Sequence, residues 1–502
     1  MADCPSVTDA EHVTDTRYPQ LPLPEPAAWK ALLALCTGFF MILLDQTIVA
    51  VATPDFQEHL GADYNQVIWV TSVYLLTFAV PLLVTGRLGD RFGPKNVYCV
   101  GMVVFTLSSL WCGLSENVGQ LIAARAVQGL GAALLTPQTM AVINRVFARE
   151  RRGAAMGAWG ATASLSTLTG PVLGGVITEY VGWEWIFFVN VPIGVLSVIA
   201  VMVWVPAIRT SSRRIDPLSV LLSMVSVFLL VFALQQGEKE HWTWWIWIMV
   251  AVAVLLFAAF VRQQVVAESA GRDPLMPLSL FEVRNFTLGN IGITAMGFAV
   301  ASIPLPITMY YQQVHGLSPL GAGLMMIPQA ATSLVLSPLV GRLSDRYSAR
   351  RFGAFGFTVL AASIVGMTVV MSTGVSHYWT VVALVGLGVG NSFVWAPNSA
   401  STMRDLSPHQ MGVGSGVYNQ TRQLGSVLGT AGVGAVMQWR LTVTDPGSAF
   451  GQAILLAAGV ILVGTVTSLM SRDTYGVSGD RRVPAGRDDR RADGRADTGT
   501  AR

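Results

Sequence analysis

Two charged residues stand in stretches that otherwise hold almost nothing able to carry charge. Arg125 lies in GQLIAARAVQGLGAALLTPQTMA (119–141), and Asp45 in WKALLALCTGFFMILLDQTIVAV (29–51). Each stretch is apolar and long enough to cross a hydrocarbon core of about 30 Å. A guanidinium at the centre of such a span costs roughly 2.5–3.5 kcal/mol on insertion scales, so it must face protein or water and find a partner. Asp45 is the only acid deep inside another apolar span, Asp216 standing at the very start of its own. Burial and a neighbouring guanidinium act in opposite directions on a carboxyl's affinity for a proton. A conformational change or a bound cation could therefore switch Asp45 between holding and releasing one. Arg125 does not titrate, and its part would be to tune Asp45.

The depths of the two charges agree. Asp45 lies about 15 residues past Lys30, roughly 22 Å along a helix rising 1.5 Å per residue. Arg125 lies about six residues below the other end of its own span, roughly 9 Å down. Both fall in the same outer third of the core. The residues also allow a plainer reading, with Arg125 reaching to the surface and Asp45 a hydrated structural acid.

The elements that must position this pair are many. Only 12% of the 502 residues are charged and 52% are hydrophobic, against about 25% charged in typical soluble domains. Fourteen apolar runs have spanning length: 30–51, 67–86, 95–114, 119–141, 157–178, 185–205, 215–235, 242–262, 286–311, 320–341, 352–372, 378–399, 414–437 and 451–471. With both ends in the cytosol, 28 of the 32 Lys and Arg residues fall on the cytosolic side, as the positive-inside rule requires. Only Lys239 and Arg440 fall outside, and only Arg125 and Arg422 within spans. Residues 1–28 and 472–502 read as disordered cytosolic tails. The second mixes eight Arg with six Asp, so a solvated tail is expected rather than a nucleic-acid contact. Cys4, Cys36, Cys99 and Cys112 show neither metal-ligand nor disulfide spacing.

A repeat divides the chain. GRLGDRFGPK (86–95) follows the second span and GRLSDRYSAR (341–350) the tenth. The spans then group as six, two and six, in the manner of transporters built from parallel repeats with a substrate site between them. The expected organisation is 29–205 for the first half, 206–284 for two inserted helices with linkers, and 285–471 for the second half. HWTWWIW (241–247) would anchor the eighth span at an interface.

Further residues bear on mechanism. Asp90, ahead of the third span, is placed to cap its orphan N–H groups, with Arg91 and Lys95 bridging to other helix ends; Asp345 and Arg346 repeat the pattern. LTGPVLGG (168–175) puts Gly170, Pro171, Gly174 and Gly175 into the fifth span, which calls for close packing or a bend. Arg422 has no acid in a second-half span to pair with. It should face a cavity, backbone carbonyls or an anionic substrate group. Cavity-lining candidates beside it are Asn290, Gln329, Asn391, Trp395, Asn398 and Asn419, with Tyr74, Tyr310, Met325 and Met326 as adaptable apolar surface.

Taken together these stretches resemble the major facilitator superfamily, and within it the fourteen-helix drug:proton antiporters. LLDQTIVAVATP is similar to the family's first-helix signature, GRLGDRFGPK to its loop motif, RAVQGLGAA to its arginine motif, and LTGPVLGG to the helix-5 motif of exporters. WEWIFFVNVPIG and SGVYNQTRQLG add signatures of the fourteen-helix branch. Ala50 and Glu184 depart from the usual asparagine and arginine.

The resemblance implies an all-α major facilitator fold, with two six-helix halves plus two inserted central helices. It implies proton coupling by Asp45 and Arg125. It places gating at Gly86, Asp90, Arg91, Gly93 and their repeats Gly341, Asp345 and Arg346, and export bias at Gly170, Pro171, Gly174 and Gly175. The expected function is export of a lipophilic small molecule against protons across a bacterial cytoplasmic membrane, by a monomer that is no enzyme. No GxxxxGK[ST] stretch occurs, so ATP drive is not expected; the resemblance implies a proton gradient as the drive, and no cofactor, metal or nucleic acid is called for. A dedicated exporter of a lipid, siderophore or endogenous antibiotic fits the same residues. A non-transporting sensor or scaffold would differ in tolerating loss of Asp45.

Overall fold

The computed structural model describes residues 20–472 apart from 53–55, 57–58, 63, 209, 211–215, 238–239, 241 and 408–409. The tails 1–19 and 473–502, and Arg209, Arg213, Arg214 and Lys239 of the charge count, lie outside the described residues, as do the side chains of Ala50 and Pro171.

Long helices follow one another along the chain. They are α1 Glu25–Val51, α2 in two segments (Tyr64–Ala79 and Leu82–Phe92), α3 Pro94–Gly113, α4 Val118–Val146 and α5 Arg152–Tyr180. Then come α6 Trp185–Trp204, α7 Pro217–Gly237, α8 Trp244–Ser269, α9 Arg284–Val314 and α10 Gly321–Ser344. The last four are α11 Ala349–Thr373, α12 Thr380–Arg404, α13 Met411–Leu441 and α14 Pro446–Met470. Length and hydropathy together pick out eleven spans among the described residues, or twelve with α2 counted as one bent span. The remaining two expected spans correspond to α5 and α13. They are 29 and 31 residues long, ample to cross a bilayer, but their many glycines and polar residues dilute the hydropathy.

Helix α1 begins at Glu25, so residues 25–28, expected in the tail, are helical. Pro24 precedes the first turn, and Glu25 suits the positive end of the helix dipole. Helix α2 bends by 48° where Pro81 interrupts it, because proline brings no N–H to the ladder.

Packing pairs α1 with α5 and α6, α3 with α4, α9 with α13 and α14, and α11 with α12 and α14. The first six helices meet the last six chiefly where α2 packs on α13 and α5 on α10, with smaller contacts of α5 with α12 and of α4 with α13. Helices α7 and α8 form a hairpin, with α7 lying against α13 and the first segment of α2. Helix α8 has the smallest buried share of the spans. Trp244, Trp247, Leu255 and Phe257 are exposed along it, as befits a lipid-facing surface where apolar side chains need no cover.

Candidate functional site

Helix α4 carries Arg125 into the centre of a closed polar network. Arg125 and Asp45 are both 0% exposed, and Arg125 Nη1 lies 2.5 Å from Asp45 Oδ2. The other carboxylate oxygen accepts from Gln128 Nε2 at 2.9 Å and from Asn190 Nδ2 at 3.3 Å. Arg125 Nη1 also donates to Gln128 Oε1 at 2.7 Å, and its Nε to the Val70 carbonyl at 3.3 Å. Asn190 is steadied by Ser109 Oγ at 3.1 Å, which itself donates to the Phe187 carbonyl at 2.9 Å. The Tyr74 ring lies 4.1 Å beneath the guanidinium carbon, within reach of a cation–π attraction. Five helices thus meet at one buried carboxylate.

Most of the pair's remaining hydrogen-bonding capacity is used, although Arg125 Nη2 and Asn190 Oδ1 are buried without a partner among the described residues. Removing one partner of a buried ion pair strands a charge at a cost of about 3–5 kcal/mol. Tyr74, expected to line a cavity, instead packs under this pair and is wholly buried. Gln128 and Asn190 were not among the expected residues. Gln128 stands three positions after Arg125, the spacing that puts two side chains on one helix face, and that signal was available. Asn190 comes from a distant segment and had none.

At the end of the bundle bearing the basic turns, two carboxylates cap helices far away in sequence. Asp90 was expected to cap α3. It lies instead in the last turn of α2, where Oδ2 accepts from the Val413 amide of α13 at 3.0 Å and Oδ1 from Arg145 Nη2 at 2.8 Å. Asp345 likewise bypasses α11. Its two oxygens accept from the Gly153 and Ala154 amides of α5 at 2.6 and 2.8 Å. Val413, Gly153 and Ala154 all sit in the first turn of their helices, where N–H groups lack intrahelical partners. Burial pushes the Asp345 carboxyl up to about 6, against the opposing pull of those amides and of Arg151 and Arg404.

Glycines make these contacts possible. A Cβ on Gly86 would stand 2.7 Å from the Gly412 carbonyl oxygen, and one on Gly341 2.7 Å from the Gly157 Cα. Gly93 has φ +88°, in the region only glycine enters freely. Arg91 is exposed, with its guanidinium 5.2 Å from the Phe92 ring. Lys95 Nζ donates to the Met202 carbonyl near the end of α6 at 2.7 Å, a bridge of the expected kind. Arg346 is exposed.

Helix α5 runs unbroken through the glycine motif. Gly170 packs directly against Thr47 of α1, Gly174 is buried, and Gly175 has no neighbour within 4 Å of a built Cβ. Close packing therefore explains Gly170, while Gly175 has no packing reason in this arrangement.

The candidates around Arg422 separate into groups. Trp395 lies 5.7 Å from the guanidinium carbon. Asn391 and Asn419 each keep a buried carbonyl oxygen without a partner among the described residues. Asn290 and Asn398 serve packing: Asn290 accepts from Thr421 Oγ1 at 3.0 Å, and Asn398 donates to the Gly289 carbonyl and Tyr418 hydroxyl, both at 3.1 Å. The Gln329 carbonyl abuts Gly388, and Met325 and Met326 pack on the core. Tyr310 belongs elsewhere, in a ring cluster with Tyr311 and His315 at centroid distances of 5.8 and 4.8 Å.

The chain belongs to the Major Facilitator Superfamily, which it matches over residues 35–430. It is a multi-pass membrane transporter. It is 43% identical over 477 residues to an uncharacterised MFS-type transporter of Mycobacterium tuberculosis, a match covering 90% of this chain and 82% of the other. The tetracenomycin C resistance and export protein of Streptomyces glaucescens is 32% identical over 420 residues, covering 82% of this chain and 76% of its own. The crystal structure of the human organic anion transporter MFSD10 superposes with a TM-score of 0.65 over 89% of this chain and 100% of that one. At 15% identity this is a likeness of fold alone.

Proposed function

We propose that the protein exports lipophilic small molecules across a bacterial cytoplasmic membrane in exchange for protons, by alternating access. The observation that carries this reading is the Asp45 carboxylate, sealed from solvent and bonded to Arg125, Gln128 and Asn190. A charge so placed is tolerable only while its partners stay put. Adding a proton removes the negative charge and leaves Arg125 to its bonds with Gln128 and Val70. The balance between two packings then shifts, which is the requirement for coupling.

The basic turns place the Asp90 and Asp345 end in the cytosol, so this conformation is closed on the cytosolic side. A proton arriving from outside neutralises Asp45 and loosens the pair. Reorganisation separates Asp90 from α13 and Asp345 from α5, and the cytosolic side opens for proton release and substrate loading. Re-formation of the ion pair favours return. At −100 mV each proton supplies about 2.3 kcal/mol, enough for roughly a fiftyfold substrate gradient.

A second reading, a dedicated exporter of one natural product, is favoured by the named substrate of the Streptomyces relative. Everted vesicles with an acidified lumen test both. A panel of dyes and antibiotics is added, and lumenal proton loss is followed with a pH-sensitive dye. Several active compounds favour broad export, and one favours dedication. Proton loss unchanged in Asp45→Asn would refute the coupling.

A further inference from the structure

Phe39 of α1, Trp159 of α5 and Trp395 of α12 form a ladder of rings joining the first six helices to the last six. Centroids of Phe39 and Trp159 are 4.5 Å apart with planes at 27°, and those of Trp159 and Trp395 are 5.7 Å apart at 39°. The Arg422 guanidinium of α13 closes the ladder, 5.7 Å from the Trp395 ring.

The polar atoms of this cluster are left over. Trp159 Nε1, Trp395 Nε1 and Arg422 Nε are buried and without a hydrogen-bond partner among the described residues. So are Asn391 Oδ1, one turn before Trp395 on α12, and Asn419 Oδ1, three positions before Arg422 on α13. Those spacings put each asparagine on the face of its aromatic or cationic neighbour. Protein interiors satisfy nearly all such atoms; others, such as Trp183 Nε1 and Asn190 Oδ1, also stand unpaired, but here three donors and two acceptors belong to one junction between the halves, a place that something other than the chain can complete.

Charge states what that something is. Arg125 pairs with Asp45, Arg145 with Asp90, and Arg151 with Glu25. Among the described residues no carboxylate pairs with Arg422, so the cluster is a net positive centre with three N–H donors. A cation there is repelled, whereas a phenolate or carboxylate completes the guanidinium with charge-assisted bonds. The indole faces, stacking at the distances rings prefer, suit a flat conjugated body. Trp395 and Arg422 are partly exposed, Trp159 not at all, so approach is from the Trp395 side. Phe39 stands six residues before Asp45 on α1, about 9 Å along the axis.

We propose that this cluster is the substrate subsite, and that it takes planar aromatic molecules bearing an anionic oxygen in preference to lipophilic cations; the assignment rests on the exporter reading above. The proton then travels against an anion, and Arg422 selects by charge while the tryptophans select by shape.

Equilibrium dialysis of the purified full chain tests it, with fluorescein as a planar aromatic anion and ethidium as a planar aromatic cation. Fluorescein is expected to bind saturably and at least tenfold more tightly than ethidium. Arg422→Gln should weaken fluorescein tenfold or more, Arg422→Lys should restore most of the loss, and ethidium should respond to neither. Equal or tighter ethidium binding, or fluorescein binding indifferent to Arg422→Gln in a variant with native thermal unfolding, would overturn the assignment. Arg422-dependent fluorescein binding in a protein that exchanges no protons would preserve the subsite and remove the antiport reading. Proton-coupled ethidium export that ignores Arg422 would do the reverse.

Discussion

Asp90 and Val413 are 323 positions apart in the chain, yet the carboxylate of one accepts the amide of the other at 3.0 Å, at the first turn of α13. Asp345 repeats the relationship toward Gly153 and Ala154 on α5. Each repeated turn thus reaches out of its own group of six helices to cap a helix of the other. The two caps, not contacts within the short turns, bond the two groups of helices at the basic end.

Removing a cap should open that end. Hydrogen bonds to charged groups are worth about 1.5–3 kcal/mol, so Asp90→Ala should shift the population toward the open arrangement by roughly ten- to a hundredfold. Distances between spin labels at Asn96 and Tyr347 read this directly. An unchanged distribution would leave the cap without a gating role.

In an Asp45→Asn background, where the opening effect of a proton on Asp45 is absent, acid should favour the closed basic end. The Asp345 carboxyl is raised to about 6 when buried against α5, and an exposed aspartate titrates near 4. The closed arrangement therefore binds more protons between those values. Its advantage is full below about 4 and is lost as pH rises through about 6. Acidification from pH 7.5 to 5 should raise the closed fraction, and Asp345→Asn should flatten that response in the same label experiment.

Two of the three glycines in LTGPVLGG should behave differently. Gly170→Val drives its side chain into Thr47 of α1, whereas Gly175→Ala meets open space. Transport and thermal stability should fall in the first and survive in the second. Equal losses in both would mean that another conformation presses on Gly175.

The network around Asp45 should stabilise the fold as a unit. Gln128→Ala removes one donor to Asp45 and one acceptor for Arg125, which predicts a loss of about 1.5–3 kcal/mol. Arg125→Ala strands the buried carboxylate and should cost about 3–5 kcal/mol. Asp45→Asn combined with Arg125→Ala should cost less than Arg125→Ala alone, because no charge is then left stranded. Thermal unfolding in detergent of the native protein, Asp45→Asn, Arg125→Ala and the double variant measures the coupling.

Much of the architecture was legible in the sequence because the bilayer imposes length and charge rules on every span. Asp45 and Arg125 could be placed at one depth by counting residues, and the turn after α2 could be matched to the turn after α10 by eye. Hydropathy says which residues are in the membrane but not which way each faces. Tyr74 therefore turned out to lie beneath Arg125, and Tyr310 in a separate ring cluster. The Asp90 cap was misassigned for a related reason: local sequence shows the nearest helix N-terminus, while the partner used comes from a distant segment. Asn190 was missed because a single asparagine in an apolar stretch carries no local sign of its partner.

The most direct test of proton coupling at Asp45 is proton release on substrate binding, measured with a pH indicator in weakly buffered detergent solution. An active compound from the vesicle panel is added to the native protein and to Asp45→Asn. The native protein should release about one proton per bound substrate, because loading displaces the proton carried by Asp45. Asp45→Asn should bind the same compound and release none. Equal release from both proteins would contradict the account, since the exchanged proton would then reside on some other group.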